Sequence, residues 1–154
     1  VEQVLPVLRR RIPSVRLRIV GRDAHHVDDL RGRPGVDVVG AVESMRSELD
    51  RADLAVVPIR FGGGTRLKVT EALANRVPCV TTSIGCEGID VVDGQHVLIA
   101  DDAAGFAQAC GRLLTDVQLR SSLTDAGVDL FERCYRWSTI RSKMTGLAQS
   151  AMSS

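Results

Sequence analysis

From Asp53 to Ile59 the chain is almost wholly apolar, and it runs directly into Arg60-Phe61-Gly62-Gly63-Gly64-Thr65. A strand with water on one face alternates apolar and polar residues, so a strand without a polar face must be covered on both sides. Helices packed above and below a parallel sheet supply that cover. Arg66 to Asn75 then turn to helical spacing, with Leu67, Leu73 and Ala74 available for packing, and Pro78 to Thr82 form a second buried strand. Strand, glycine loop, helix and strand make one parallel crossover unit, which strand twist renders right-handed.

The same reading extends in both directions. Val15 to Val20 alternate as a strand ending at Gly21, and Val36 to Val39 make another after the turn-like Arg33-Pro34-Gly35. Glu43 to Ala52 give a helix with Met45 and Leu49 inward, and Val97 to Ala100 a last short strand. Ala103 to Leu114, Val117 to Phe131 and Trp137 to Ala148 read as three consecutive helices. No repeat, low-complexity tract or linker interrupts residues 1–154, so a single α/β domain is expected. Its architecture is a parallel sheet of about five strands with helices on both faces and a helical C-terminus. The first dozen residues are already helical, with Val1, Val4, Leu5, Leu8 and Ile12 on one side and arginines on the other. A chain that opens inside an amphipathic helix is expected to be a truncated form of a longer protein.

Charge excludes some partners. Twenty basic against nineteen acidic residues leave a net +1, too little to draw the whole molecule to nucleic acid, so any anion site must be local. Arg9, Arg10, Arg11, Arg16, Arg18, Arg22, Arg31 and Arg33 crowd the first stretch, while Glu87, Asp90, Asp93, Asp101 and Asp102 form a later acidic block. Two solvated faces are the simpler explanation of that asymmetry. Cys79, Cys86, Cys110 and Cys134 are far apart and form no Cys-x-x-Cys pair, which suits reduced thiols and a cytoplasmic protein. No apolar run approaches the roughly 18 residues of a membrane span, and neither a membrane span nor an export signal is expected.

The candidate chemistry sits where ligands bind in open parallel sheets, beyond the carboxyl ends of the strands. Gly62, Gly63 and Gly64 remove side chains from a loop that leads into a helix, and the free amides and dipole of a helix start attract phosphate. Arg66 and Lys68 oppose that dipole unless an anion offsets them. Glu71 follows Gly64 by seven residues, roughly 10 Å along the helix, where a carboxylate can accept from both hydroxyls of a ribose. The loop matches neither the P-loop nor the Gly-x-Gly-x-x-Gly fingerprint, so a tight turn with solvated basic residues, and a Glu71 paired with Lys68, stays open at this point. His25 and His26 lie among Asp23, Asp28 and Asp29, but adjacent histidines diverge on a helix and no third ligand is well spaced, so a solvated helix start is expected and no metal. His96 reads as a loop residue, and Tyr135 and Trp137 as anchors of the terminal helix.

The run Val57-Pro58-Ile59-Arg60-Phe61-Gly62-Gly63-Gly64-Thr65-Arg66-Leu67-Lys68-Val69-Thr70-Glu71-Ala72-Leu73-Ala74, continuing to Pro78-Cys79-Val80 and then Gly85-Cys86-Glu87-Gly88, resembles the C-terminal domain of group 1, retaining, GT-B glycosyltransferases. The likeness continues through Asp93-Gly94, Ala100-Asp101-Asp102, Leu113-Leu114 and Leu119-Arg120 to Tyr135-Arg136-Trp137-Ser138. It implies a Rossmann-like fold and an intact enzyme that transfers a sugar from a nucleotide diphosphate donor, without a cofactor or metal. It also implies roles: Glu71 for the nucleotide ribose, Gly63, Gly64, Thr65 and Arg66 for the diphosphate and sugar, and the loop at Gly40, Ala41 and Val42 for the base. Similar proteins often carry a further glutamate for the donor sugar eight residues before the ribose-binding one, where this chain has Gly63. The basic residues that usually clamp the diphosphate belong to a region before Val1.

In the family's strand order the first strand is central, and Val1 to Ile12 correspond to the helix that follows it. An unfilled slot between the strands at Val15 to Val20 and Asp53 to Ile59 is therefore expected, or a substitute pairing that closes it. Acceptor and acid/base groups would come from an N-terminal domain of the same chain, with peripheral membrane contact possible in the parent, so this piece alone should bind donor weakly and turn over nothing. Alternatives are a sugar-nucleotide epimerase of the same architecture and a non-catalytic nucleotide-binding module. A receiver-like module is disfavoured because Asp53 begins its strand rather than ending it.

Overall fold

The computed structural model of the chain describes residues 1–21, 24–62, 66–139, 141 and 145. In chain order the elements are α1 (Leu5–Arg11), β1 (Leu17–Val20), a 3-10 stretch at Ala24–Leu30, β2 (Val36–Gly40), α2 (Met45–Leu49), β3 (Ala55–Val57), α3 (Leu67–Ala74), β4 (Cys79–Thr81), a 3-10 turn at Ile84–Cys86, β5 (Leu98–Ile99), α4 (Ala103–Thr115) and α5 (Val117–Cys134). Every strand pairing is parallel.

The sheet β3-β4-β5 explains the apolar runs that form it. Successive residues of a strand point to opposite faces. Leu54, Val56, Val80 and Leu98 meet Phe106, Ala109, Cys110 and Leu113 of α4 on one side. Ala55, Val57, Cys79, Val97 and Ile99 meet Val69, Ala72 and Leu73 of α3 and Leu130 of α5 on the other. With both faces buried, the alternate positions of β3, β4 and β5 are apolar except Thr81, whose hydroxyl is satisfied by backbone carbonyls.

β1 and β2 form a second sheet, separate from the first. The division falls where an unfilled slot was expected, since among the described residues no strand pairing joins β1 to β3. Packing joins the sheets instead. Leu5 of α1 is buried with Leu30, Val36, Leu17 and Ile19 against the β1-β2 pair. One turn on, Leu8 is buried with Val80 and the α4 residues, with Val15, Leu54 and Val56 alongside. α1 thus turns one row of side chains toward each sheet.

Several local expectations change. α1 begins at Leu5 rather than Val1, with Pro6 in its first turn, where the missing amide leaves no bond unmade. Met45 is 38% exposed and α2 buries no residue, so Met45 and Leu49 do not form an inward face. The short helix is held by a Ser44 hydroxyl cap and by the Glu48 carboxylate 2.5 Å from Arg18 Nε on β1. Leu67 is 60% exposed and Ala74 also faces water, so α3 packs through Val69, Ala72 and Leu73. Trp137 is 77% exposed and packs into no core among the described residues, whereas the Tyr135 hydroxyl donates to Asp90 Oδ2 and accepts from the Asp90 amide. His25 and His26 lie on the 3-10 stretch rather than an α-helix, and their side chains, with most of the helix expected at 137–148, are outside the described residues. No helix among the described residues is long and apolar enough to cross a membrane.

The buried thiols behave as core atoms. All four cysteines are unpaired, and burial pushes Cys79 and Cys110 up to about 12. His96 is buried too, with its Nδ1 accepting from the Val92 amide at 3.0 Å, although a loop position alone would have left it in water. Burial, reinforced by Arg133, holds its pKa below the ordinary value. The fold therefore requires the neutral ring, and its contribution is complete above about pH 6.5, where an unfolded histidine is also neutral, and is lost as pH falls toward the lower folded value. Urea midpoints should drop between about pH 7.5 and about pH 5.5, and His96→Gln, which keeps an acceptor for Val92, should lose part of that drop. Identical pH dependence in the two proteins would remove His96 from the explanation.

Candidate functional site

The carboxyl ends of β3, β4 and β5 are laced together by side-chain hydrogen bonds. The Thr81 hydroxyl donates to Val57 O at 3.3 Å, and the Thr82 hydroxyl donates to Ile59 O and accepts from the Gly85 amide at 3.0 Å. Asp101, just past β5, accepts from the Ser83 amide at 2.8 Å and its hydroxyl at 2.7 Å, which holds the carboxyl below its ordinary pKa. Gly85 sits so close to the end of β3 that a Cβ there would lie 2.7 Å from Val57 O. These bonds fix the position of the loop that carries Glu87.

Opposite that loop stands the start of α3. Three helices have side-chain caps: Ser44 on α2, Asp102 on α4 and Asp116 on α5. Among the described residues α3 has none, and no acidic residue lies in its first turn. Its N-cap position holds Arg66, which is 8% exposed. Arg66 Nη2 donates to Gly62 O and to Glu87 Oε2, each at 3.1 Å, and the buried Nε has no partner among the described residues. A cation at this end opposes the helix dipole, and its one carboxylate partner is itself 74% exposed. An anion would relieve both mismatches.

The expected site residues are distributed around this centre. Gly62 is exposed and takes φ +112°, a conformation that side chains rarely adopt. Gly63, Gly64 and Thr65 lie outside the described residues. Lys68 and Glu71 are exposed, and Glu71 lies one turn beyond Leu67 on the water-facing side of α3. Among the described residues no ion pair joins Glu71 to Lys68, so its carboxylate is uncommitted. Gly40 closes β2 with φ +86° and accepts from the Gly21 amide at 2.9 Å, with Ala41 exposed and Val42 half-buried beside it. That loop belongs to the first sheet, and the Arg66 centre to the second.

The structure also assigns the two charge blocks. Arg16, Arg18, Arg31 and Arg33 pair with Asp37, Glu48, Asp28 and Glu2. In the acidic block Asp90 meets Tyr135, Asp93 accepts from the Ile99 amide, Asp101 holds Ser83 and Asp102 caps α4. Sequence reasoning missed Glu87 as a partner of Arg66; the signal was its place in Gly85-Cys86-Glu87-Gly88, the one acid of the block flanked by loop glycines.

A sequence profile of the family described as Glycosyl transferases group 1 matches residues 1–116. An uncharacterized 44.6 kDa protein in the cps region of Klebsiella pneumoniae is 27% identical over 115 residues, covering 69% of this chain and 30% of that protein. Sucrose-phosphate synthase from Thermosynechococcus elongatus superposes with a TM-score of 0.76 at 22% identity, covering 98% of this chain and 42% of that one. The C-terminal domain of a glycosyl transferase group 1 family protein (LpcC) from Francisella tularensis does so with a TM-score of 0.76 at 18% identity, covering 88% and 77%. At those identities the two structures bear on the fold alone. The chain spans less than a third of the Klebsiella protein's length.

Gly85 offers a direct check on this architecture. A methyl group there meets backbone, which cannot swing aside, so Gly85→Ala should cost about 1–3 kcal/mol of overpacking, read from the urea midpoint. A wild-type midpoint would show that the loop is not seated against β3.

Proposed function

Because the chain belongs to the group 1 glycosyltransferases, we propose that it is the donor-binding domain of an enzyme that moves a sugar from a nucleotide diphosphate to an acceptor, with retention at the anomeric carbon. The supporting observation is Arg66, a buried guanidinium at the start of a helix, whose Nε has no partner and whose helix has no side-chain cap among the described residues. A diphosphate answers that arrangement. It brings negative charge to the guanidinium and the helix dipole, and acceptor oxygens to first-turn amides that no described side chain caps.

In this reading Gly62, Gly63 and Gly64 let the diphosphate approach the backbone, Thr65 and Lys68 add donors, and Glu71 accepts from the ribose hydroxyls. Gly40, Ala41 and Val42 meet the base through main-chain groups. As the bond from the anomeric carbon to the diphosphate oxygen breaks, charge grows on the leaving group, where the amides and Arg66 already stand. The acceptor oxygen bonds to the same carbon and gives up its proton, and the groups that manage this step lie on an N-terminal domain of the full-length protein. No metal takes part. Unpaired cysteines suit a reducing compartment, and the cytoplasm is the proposed setting.

Calorimetric titration of the full-length protein with UDP, GDP and ADP tests the reading. One of the three should bind, and Glu71→Ala should weaken it about tenfold or more, the loss expected when ribose hydroxyls lose a charged acceptor. Affinity indifferent to Glu71→Ala would overturn the assignment.

A further inference from the structure

The reading above leaves the sugar itself without a partner, because Gly63 stands where similar chains carry a carboxylate for it. Resting on that reading, we infer that Glu87 is the residue that contacts the donor sugar, and that the sugar is a neutral one with free hydroxyls rather than a uronic acid. Glu87 reaches the site from a different loop, the one after β4.

Three observations carry the inference. Glu87 shares Arg66 Nη2 with Gly62 O, so its carboxylate stands no more than two hydrogen-bond lengths from the glycine loop. Only Oε2 is engaged; Oε1 has no hydrogen bond among the described residues, and the side chain is 74% exposed. Its four neighbours in the acidic block accept from backbone amides or the Tyr135 hydroxyl, whereas Glu87 is the member of the block paired with the buried Arg66 at the start of α3.

An ordinary surface glutamate is a mobile side chain that must be immobilised before it can read a ligand. Glu87 is already held by a buried guanidinium, on a loop pinned through Thr82, Gly85 and Ser83. An ionised carboxylate only accepts, so it matches the hydroxyl donors of a sugar ring and repels a second carboxylate. Arg66 then stands between two acceptors, the diphosphate on one side and Glu87 on the other, and fixes the distance from leaving group to sugar.

The experiment uses the full-length protein, titrated with bare UDP, GDP and ADP and then with the glucose or mannose conjugate of the nucleotide that binds. Glu87→Gln should leave the bare nucleotide within about twofold and weaken the conjugate about tenfold or more, since an amide accepts less strongly than a carboxylate. The wild type should also bind the neutral conjugate more tightly than the matching uronate, and Glu87→Gln should narrow that gap. Equal weakening of nucleotide and conjugate would make Glu87 a mere prop for Arg66 and overturn the inference, as would no change in either. Glu71→Ala in the same series separates the two levels: if it too is silent, or no nucleotide binds, the donor site itself is misplaced. An unchanged melting temperature for Glu87→Gln, expected at so exposed a position, excludes unfolding as the cause.

Discussion

Burial of the β3-β4-β5 sheet on both faces is the constraint from which the rest follows. Once α4 covers one side and α3 with α5 the other, the sheet has no face left for a ligand. Chemistry is confined to the strand ends, where polar groups can meet water and backbone is free of the ladder. The carboxyl ends carry Thr81, Thr82, Asp101 and the loops bearing Gly62 and Glu87, so the polar residues excluded from the interior collect there. Local hydrogen bonds then do what side-chain packing cannot, fixing irregular backbone without apolar cover.

Arg66 is the electrostatic counterpart of that arrangement. Burying a charge is costly unless it is paired and fully hydrogen-bonded. Here the pairing is incomplete among the described residues: one nitrogen serves both Gly62 and Glu87, and Nε is left over. The same position places a cation against the positive end of α3. A structural ion pair would gain nothing from such a place, whereas a site awaiting an anion needs uncompensated positive potential. Preorganised donors of this kind are worth more than donors that must be desolvated when the ligand arrives.

Much of this was legible in the residues. Doubly covered strands, the glycine connection and the helix after it could be read from Asp53 to Thr82, because apolar runs and glycine follow directly from backbone geometry. Arg66 was legible as a charge at a helix start behind a glycine loop, but its burial was not, since the loop after β4 that carries Glu87 reaches it only in three dimensions. Glu87 was read as part of a solvated acidic face for the same reason, being 21 residues away from its partner. Met45 and Leu67 misled because helical spacing shows which residues share a side, not whether that side meets anything; on short α2 and the first turn of α3 that side is exposed among the described residues. His96 was taken as a surface loop residue, yet a short turn before β5 tucks it under α5.

The division into two sheets bears on how the proposed site is held together. The loop at Gly40 ends β2 in one sheet, while Gly62, Arg66 and Glu87 belong to the other. Hydrogen bonds of a shared ladder would set the distance between those halves rigidly, because each bond is directional and repeats along the strand. Apolar packing sets it less sharply, since dispersion and burial have no preferred direction and side chains can slide by fractions of an ångström. α1 carries that packing through Leu5 on one sheet and Leu8 on the other. The residues proposed for the diphosphate and sugar therefore sit within a single hydrogen-bonded unit, and those proposed for the base are joined to them through apolar packing that includes α1. Whatever tightens α1 against both sheets brings the two groups of proposed site residues closer as well, so they are coupled through the hydrophobic core rather than through a shared strand ladder.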